Sequence, residues 1–161
     1  MWHLLLWLHK KIHMNEQEVL ASYHTDLKKV EAKLGKGGTM DSTLNLHTPR
    51  FLQKPQYWRG VFALDGPWRK CGGYGIVNLE PRGNAGEHWL AFADNLFYDS
   101  FGRKGILEKR EKQYLPHGQG TKLNYTDPDP EQSKKEDNCG QRCIAWLMTY
   151  EKFGPEGAQF I

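Results

Sequence analysis

The chain has 161 residues, of which 39% are hydrophobic and 25% charged, a balance that fits one folded domain with a sizeable core and excludes a disordered or fibrous protein. Its 17 glycines favour strands, turns and loops over a helical bundle. A formal net charge of +3 permits contact with nucleic acid without arguing for it.

Residues 1–14, MWHLLLWLHKKIHM, carry a short apolar run interrupted by His3. The positive charges follow that run and no small-residue cleavage site comes next, so the layout is not that of a secretory signal, and the run is far too short to span a bilayer. A poorly ordered extension is expected here, with Met14 the more natural start. Asn15 is placed to cap a helix, with Glu18 three residues on. Val19, Leu20, Tyr23, Leu27, Val30 and Leu34 then recur at helical spacing, and Gly35 supplies the stop. GKGGT (35–39) opens a linker; it follows a helix and lacks the ending of a phosphate-binding loop. Residues 40–58 show no clear period.

WRGVFALDGPW (58–68) reads as a strand and turn, YGIVNLE (74–80) as a strand, and PRGNAGE (81–87) as a turn. HWLAFA (88–93) and LFYDSF (96–101) read as two strands joined by Asp94-Asn95, since Asx residues tolerate the dihedrals of a two-residue hairpin. A short charged helix is expected over 104–113 and a strand over 122–125. TDPDPEQSKKEDN (126–138) is a polar loop, because its prolines and charges oppose regular structure. A helical pattern runs from Cys139 to about Lys152, and residues 153–161 are expected to fray.

The cysteines are Cys71, Cys139 and Cys143, an odd set that makes a poor disulfide framework. Cys139 and Cys143 lack a second ligand pair for zinc, so no metal is expected and a reducing compartment is the simpler reading. A two-residue turn at Asp94-Asn95 pairs Ala93 with Leu96, Phe92 with Phe97 and Leu90 with Asp99, and sets His88 opposite Phe101. Alternation then leaves His88 and Asp99 on one face as diagonal neighbours, about 7–8 Å apart between backbones. A carboxylate on the far ring nitrogen fixes the imidazole tautomer and stabilises its charged form. A three-residue turn would put the two on opposite faces. Alone, such a pair reads as a strand histidine and a turn-capping acid; a thiol and an amide further along the chain change that reading.

Cys139 stands where the polar loop becomes a helix that Asp137 or Asn138 can cap. A thiol on the first turn feels the positive end of the helix dipole, and a neighbouring imidazolium favours the thiolate further, which is the working state of a cysteine protease. Gly140 leaves the space beside the sulfur open for a substrate backbone, whereas Cys143, one turn on, reads as a buried helix cysteine. Gln132, seven residues before Cys139, offers an amide that can pair with the Cys139 backbone N–H to hold an oxyanion, a donor worth about 10²–10³ in rate.

This order, HW, an acid in the following strand, then Q-x6-CG, resembles that of the adenovirus-type (adenain-like) cysteine proteases. GVFALD and YGIVNLEPRGNAGEHWLAFA are similar to the segment around that family's catalytic histidine. LFYDSFGR resembles its acid-bearing strand, and NCGQRC its nucleophile helix with a second cysteine. The resemblance covers about residues 58–148 and is closest to relatives encoded by Polinton or Maverick transposons and adintovirus-like elements. It implies His88 as general base, Asp99 as its orienting acid, Cys139 as nucleophile, Gln132 as oxyanion donor and Trp89 packed beside the site. It also implies cleavage of capsid and virion precursor proteins during particle maturation, with an activating peptide and DNA as candidate cofactors.

The chain departs from that pattern in a shorter hairpin between His88 and Asp99. Only residues 140–161 follow Cys139, where the family continues with several more helices, so the resemblance implies a C-terminally truncated version of the fold. The expected architecture is α+β, a mixed, mostly antiparallel central sheet packed against helices. Its parts are an extension (1–14), a protease-like domain (15–152) and a tail (153–161). A monomer acting on polypeptides, with no membrane partner, is expected inside the cell or the virion. Two other readings stand beside it. Ubiquitin-like (SUMO-type) isopeptidases share the histidine–acid–glutamine–cysteine order, usually with a gap one residue shorter between glutamine and cysteine. A catalytically inactive relative would serve as a DNA- or capsid-binding structural component.

Overall fold

The computed structural model describes residues 15–115 and 120–161. The expectations for residues 1–14 lie outside the described residues. Helix α1 (Glu16–Leu34) starts where the Asn15 side chain accepts from Gln17 N at 2.8 Å, and stops at Gly35, whose N–H still reaches Glu31 O. Its periodic face buries Val19, Tyr23, Leu27 and Val30. Helix α2 (Asp41–Phe51) occupies a stretch in which no period is legible. Leu44 and Thr48, one turn apart, are its two buried residues, and Pro49 lies in its last turn.

Strands β1 (Trp58–Phe62), β2 (Tyr74–Asn78), β3 (Trp89–Ala93), β4 (Leu96–Tyr98) and β5 (Asn124–Tyr125) form one sheet in chain order. The β3–β4 hairpin turns through Asp94, at φ 53°, and pairs Ala93 with Leu96 and Phe92 with Phe97, the expected register. The β2–β3 pairing is also antiparallel, but β1–β2 and β4–β5 are parallel. The sheet is therefore mixed in equal parts, not mostly antiparallel. The β4–β5 crossover carries helix α3 (Ile106–Tyr114), and parallel neighbours require such a crossover. Gly75 in β2 exists for packing: a β-carbon there would collide with the Phe92 ring on β3.

Alternation along the strands builds two cores. Tyr74, Ile76, Ala91, Ala93, Leu96 and Tyr98 face α1 and helix α4 (Cys139–Ala158), whose Cys143, Ile144, Trp146 and Leu147 fill that layer. Val77, Leu90, Phe92 and Phe97 face the other way, against Leu64, Trp68 and Leu107. The layers are thus helices, sheet, then α3 with its flanking loops, an α+β arrangement.

The C-terminal end corrects an expectation. Gly154 (φ 71°) breaks the helical path and Pro155 begins a further turn. Trp146 Nε1 donates to Ala158 O at 3.0 Å, Asp127 N donates to Gln159 O at 3.0 Å, and Ile161 is buried. Residues 153–161 are therefore anchored to the core, through Ala158 and Ile161, instead of fraying. All three cysteines are free, and among the described residues no helix is long and apolar enough to cross a membrane.

Candidate active site

His88 immediately precedes β3 and Asp99 immediately follows β4, so both stand at one end of the hairpin. There the buried His88 Nε2 and Asp99 Oδ1 lie 2.7 Å apart. The α4 helix meets the same end: Cys143 Sγ donates to Trp89 O at 3.4 Å, which sets the helix's first turn beside the start of β3. Cys139, one turn earlier, is near enough to His88 to raise its proton affinity. With Nε2 on the acid, Nδ1 is the ring nitrogen left for the sulfur. Burial alone would push the imidazole down, but the hydrogen bonds and charge of Asp99 and Cys139 hold it above its ordinary value. Burial likewise opposes ionisation of Asp99; hydrogen bonds and charge from His88 and Arg103 outweigh it and hold the carboxyl below the usual range. Cys143 is wholly buried, which pushes its thiol well above the ordinary value, in keeping with a packing role.

Asp99 is fixed by a turn. Gly102 N donates to Asp99 O at 2.8 Å and Phe101 N to Asp99 Oδ1 at 3.1 Å, an Asx turn inside a β-turn. The Phe101 ring stacks on His88 with centroids 4.6 Å apart, as the hairpin register places it. Ser100 faces the other side of that turn. Its hydroxyl donates to Gln132 Oε1 at 2.6 Å and its carbonyl accepts from Gln132 N at 3.0 Å. Gln132 is thereby buried with its amide orientation decided: Nε2 donates to Glu136 O at 2.8 Å. A primary amide carries two hydrogens, so one remains for a ligand.

Asn138 occupies the cap position of α4, yet its side chain caps nothing; Oδ1 accepts instead from Arg142 Nε at 3.1 Å. Arg142, itself buried, also reaches Tyr23 Oη and Glu136 Oε2. Among the described residues no side chain accepts from the first-turn N–H groups, which keeps them available to an anion. Gly140 has a different reason from the one expected. A β-carbon there would collide with Thr39 Oγ1 and press on Leu44, so its space is filled by the 39–44 segment and is not open to a substrate. Gln141 Nε2 ties down the linker just before that segment by donating to Gly35 O and Gly37 O.

A cleft of about 550 Å³ leads to this point, with Cys139 in its wall. Thr39, Met40, Phe62, Asn78 and Trp89 line it with the cysteine, and Trp89 Nε1 donates to Thr39 O at 3.2 Å. The structure therefore brings together His88, Asp99, Cys139 and Trp89, and holds Gln132 through Ser100. Ser100, Arg103 and the Thr39 wall are absent from the sequence reading. The Asp-x-x-Gly turn is a legible signal for the first two; nothing local announces the third. Among the described residues, no three of His, Cys, Asp and Glu converge to hold a metal ion. No protein-family model matches the chain, and no curated protein matches it in sequence.

Proposed function

We propose that this protein is a cysteine endopeptidase of the adenovirus type, cleaving viral or transposon-encoded capsid and virion precursor proteins as particles mature. The observation that carries the reading is the buried His88–Asp99 hydrogen bond with Cys139 close to the imidazole and in the wall of a cleft. In that reading His88 takes the Cys139 proton and Sγ attacks the scissile carbonyl carbon. The oxyanion is held by the first-turn N–H of Cys139 and the second amide hydrogen of Gln132. On collapse, His88 gives the proton to the leaving amine, and water then hydrolyses the thioester by the reverse use of the same base. The α+β layering, with the nucleophile opening the last helix, supports an adenain-like fold, and free cysteines suit work in a reducing compartment or a virion. DNA and an activating peptide remain candidate partners by resemblance.

The test offers the purified protein a capsid precursor with Gly-x-Gly sites and, separately, a SUMO fusion, each repeated with Cys139→Ala. Cleavage of the precursor alone, lost in the variant, is expected. Cleavage of the fusion instead would redirect the reading to an isopeptidase. No turnover on either, with DNA or capsid binding retained, would make the chain a structural component.

A further inference from the structure

Asp99 answers to two cations. Its Oδ1 faces His88 Nε2 at 2.7 Å, while Oδ2 accepts from Arg103 Nε at 2.9 Å and Arg103 N at 3.3 Å. The guanidinium lies over the Phe101 ring, 5.1 Å from its centroid, on the ring that also stacks on His88. Arg103 Nη2 has no partner among the described residues, and Asp99 is the one carboxylate with which Arg103 forms an ion pair there. Among the described residues, Cys139 and Cys143 from α4 and Tyr125 from β5 also interact electrostatically with His88 or Asp99.

We propose that Arg103 is a positioning residue that divides the charge of Asp99, pinning one carboxylate oxygen and leaving the other to His88. The proposal rests on the reading of His88 as the base that receives the thiol proton. A carboxylate given wholly to His88 would hold the imidazolium tightly and slow its return of that proton to the leaving amine. One shared with Arg103 keeps the imidazole oriented while loosening its grip on the proton. Arg103 follows the Asp99–Gly102 turn directly, so the turn that aims the acid also delivers its second cation.

The charge-sharing role and a plain bracing role predict opposite signs. If Arg103 only braced Asp99, its loss would loosen the acid and lower the proton affinity of His88, as loss of the acid itself must. If it divides the charge, its loss raises that affinity. The experiment is an NMR titration of the His88 ring in a Cys139→Ala background, where no turnover is needed, comparing Arg103→Gln, Arg103→Lys and Asp99→Asn. Arg103→Gln is expected to move the His88 midpoint up by about half a pH unit, the size suited to a partly exposed ion pair. Arg103→Lys is expected to keep the parent midpoint, and Asp99→Asn to move it down. A downward or absent shift in Arg103→Gln, or equal behaviour of the Gln and Lys variants, overturns the proposal. In the Cys139 protein the alkaline limb of kcat/KM should move the same way. An upward NMR shift without turnover would sink the protease reading and leave the charge sharing standing.

Discussion

Replacing Gly102 by alanine tests how the site is held. Gly102 closes the Asp99 turn with φ 68°, and a β-carbon there would collide with Pro128 O and lie 3.1 Å from Pro130 N. Those atoms are backbone and cannot swing aside, so one of the two loops must move. A left-handed alanine costs about 1–2 kcal/mol, and overpacking adds about 1–3 kcal/mol, for a loss of roughly 2–5 kcal/mol. Gly105 supplies the control: its φ is 76°, but the nearest atom to a β-carbon is Glu108 Oε2 at 3.9 Å, so only the backbone contribution applies. Urea unfolding of the two variants should separate them by about 1–3 kcal/mol, equivalent to several degrees in Tm at this chain length. Because the moving loops carry Asp99 and Gln132, Gly102→Ala should also lower kcat/KM by about 10²-fold, the scale of a 1 Å misplacement, while Gly105→Ala stays near the parent. Equal stability of the two variants would refute the idea that backbone contact between these loops sets the site.

Ser100→Ala strips the donor from the buried Gln132 Oε1 and should cost about 1–3 kcal/mol, with kcat falling more than KM rises; unchanged kcat would remove Gln132 from the oxyanion site. Burial raises both Cys71 and Cys143, so on the proposed function Cys139, though only 5% exposed, should be the first of the three to be alkylated by iodoacetamide. His88→Ala should erase that lead, read by peptide mass mapping. Glu131 is pushed up to about 8 by burial from an ordinary 4.5. Between those values the unfolded chain releases a proton that the folded one keeps, so stability falls as pH rises through that window. Glu131→Gln should flatten the decline in denaturant midpoint measured near pH 5 and pH 8; an unaltered slope would assign it to another group.

Local signals serve wherever the physics is local. The α1 helix is legible from its cap, its period and its Gly35 stop. The hairpin is legible because two Asx residues permit only a few registers, and the one adopted brings His88 to Asp99. Helix α2 is hidden because just two of its residues face inward and Pro49 suggests a break. The parallel pairings of β1 and β5 depend on crossovers that leave no mark in either strand. The fate of residues 153–161 is decided far away, by Trp146 and Asp127. At Gly140 the sequence declares that something small is required, but the occupant of the vacated space, Thr39, lies a hundred residues upstream. Ser100 and Gln132 are joined across a separation of 32 residues that no spacing rule anticipates.

The turn from Asp99 to Gly102 presents the acid on one flank and the serine that steadies the glutamine on the other. In the proposed enzyme, two duties that many enzymes assign to separate scaffolds share four consecutive residues. A lineage could not drift at one without disturbing its neighbour, so heritable change at this corner should arrive as coordinated replacements. On the proposed function, an inhibitor that pried the corner open would disable proton transfer and oxyanion support in a single stroke.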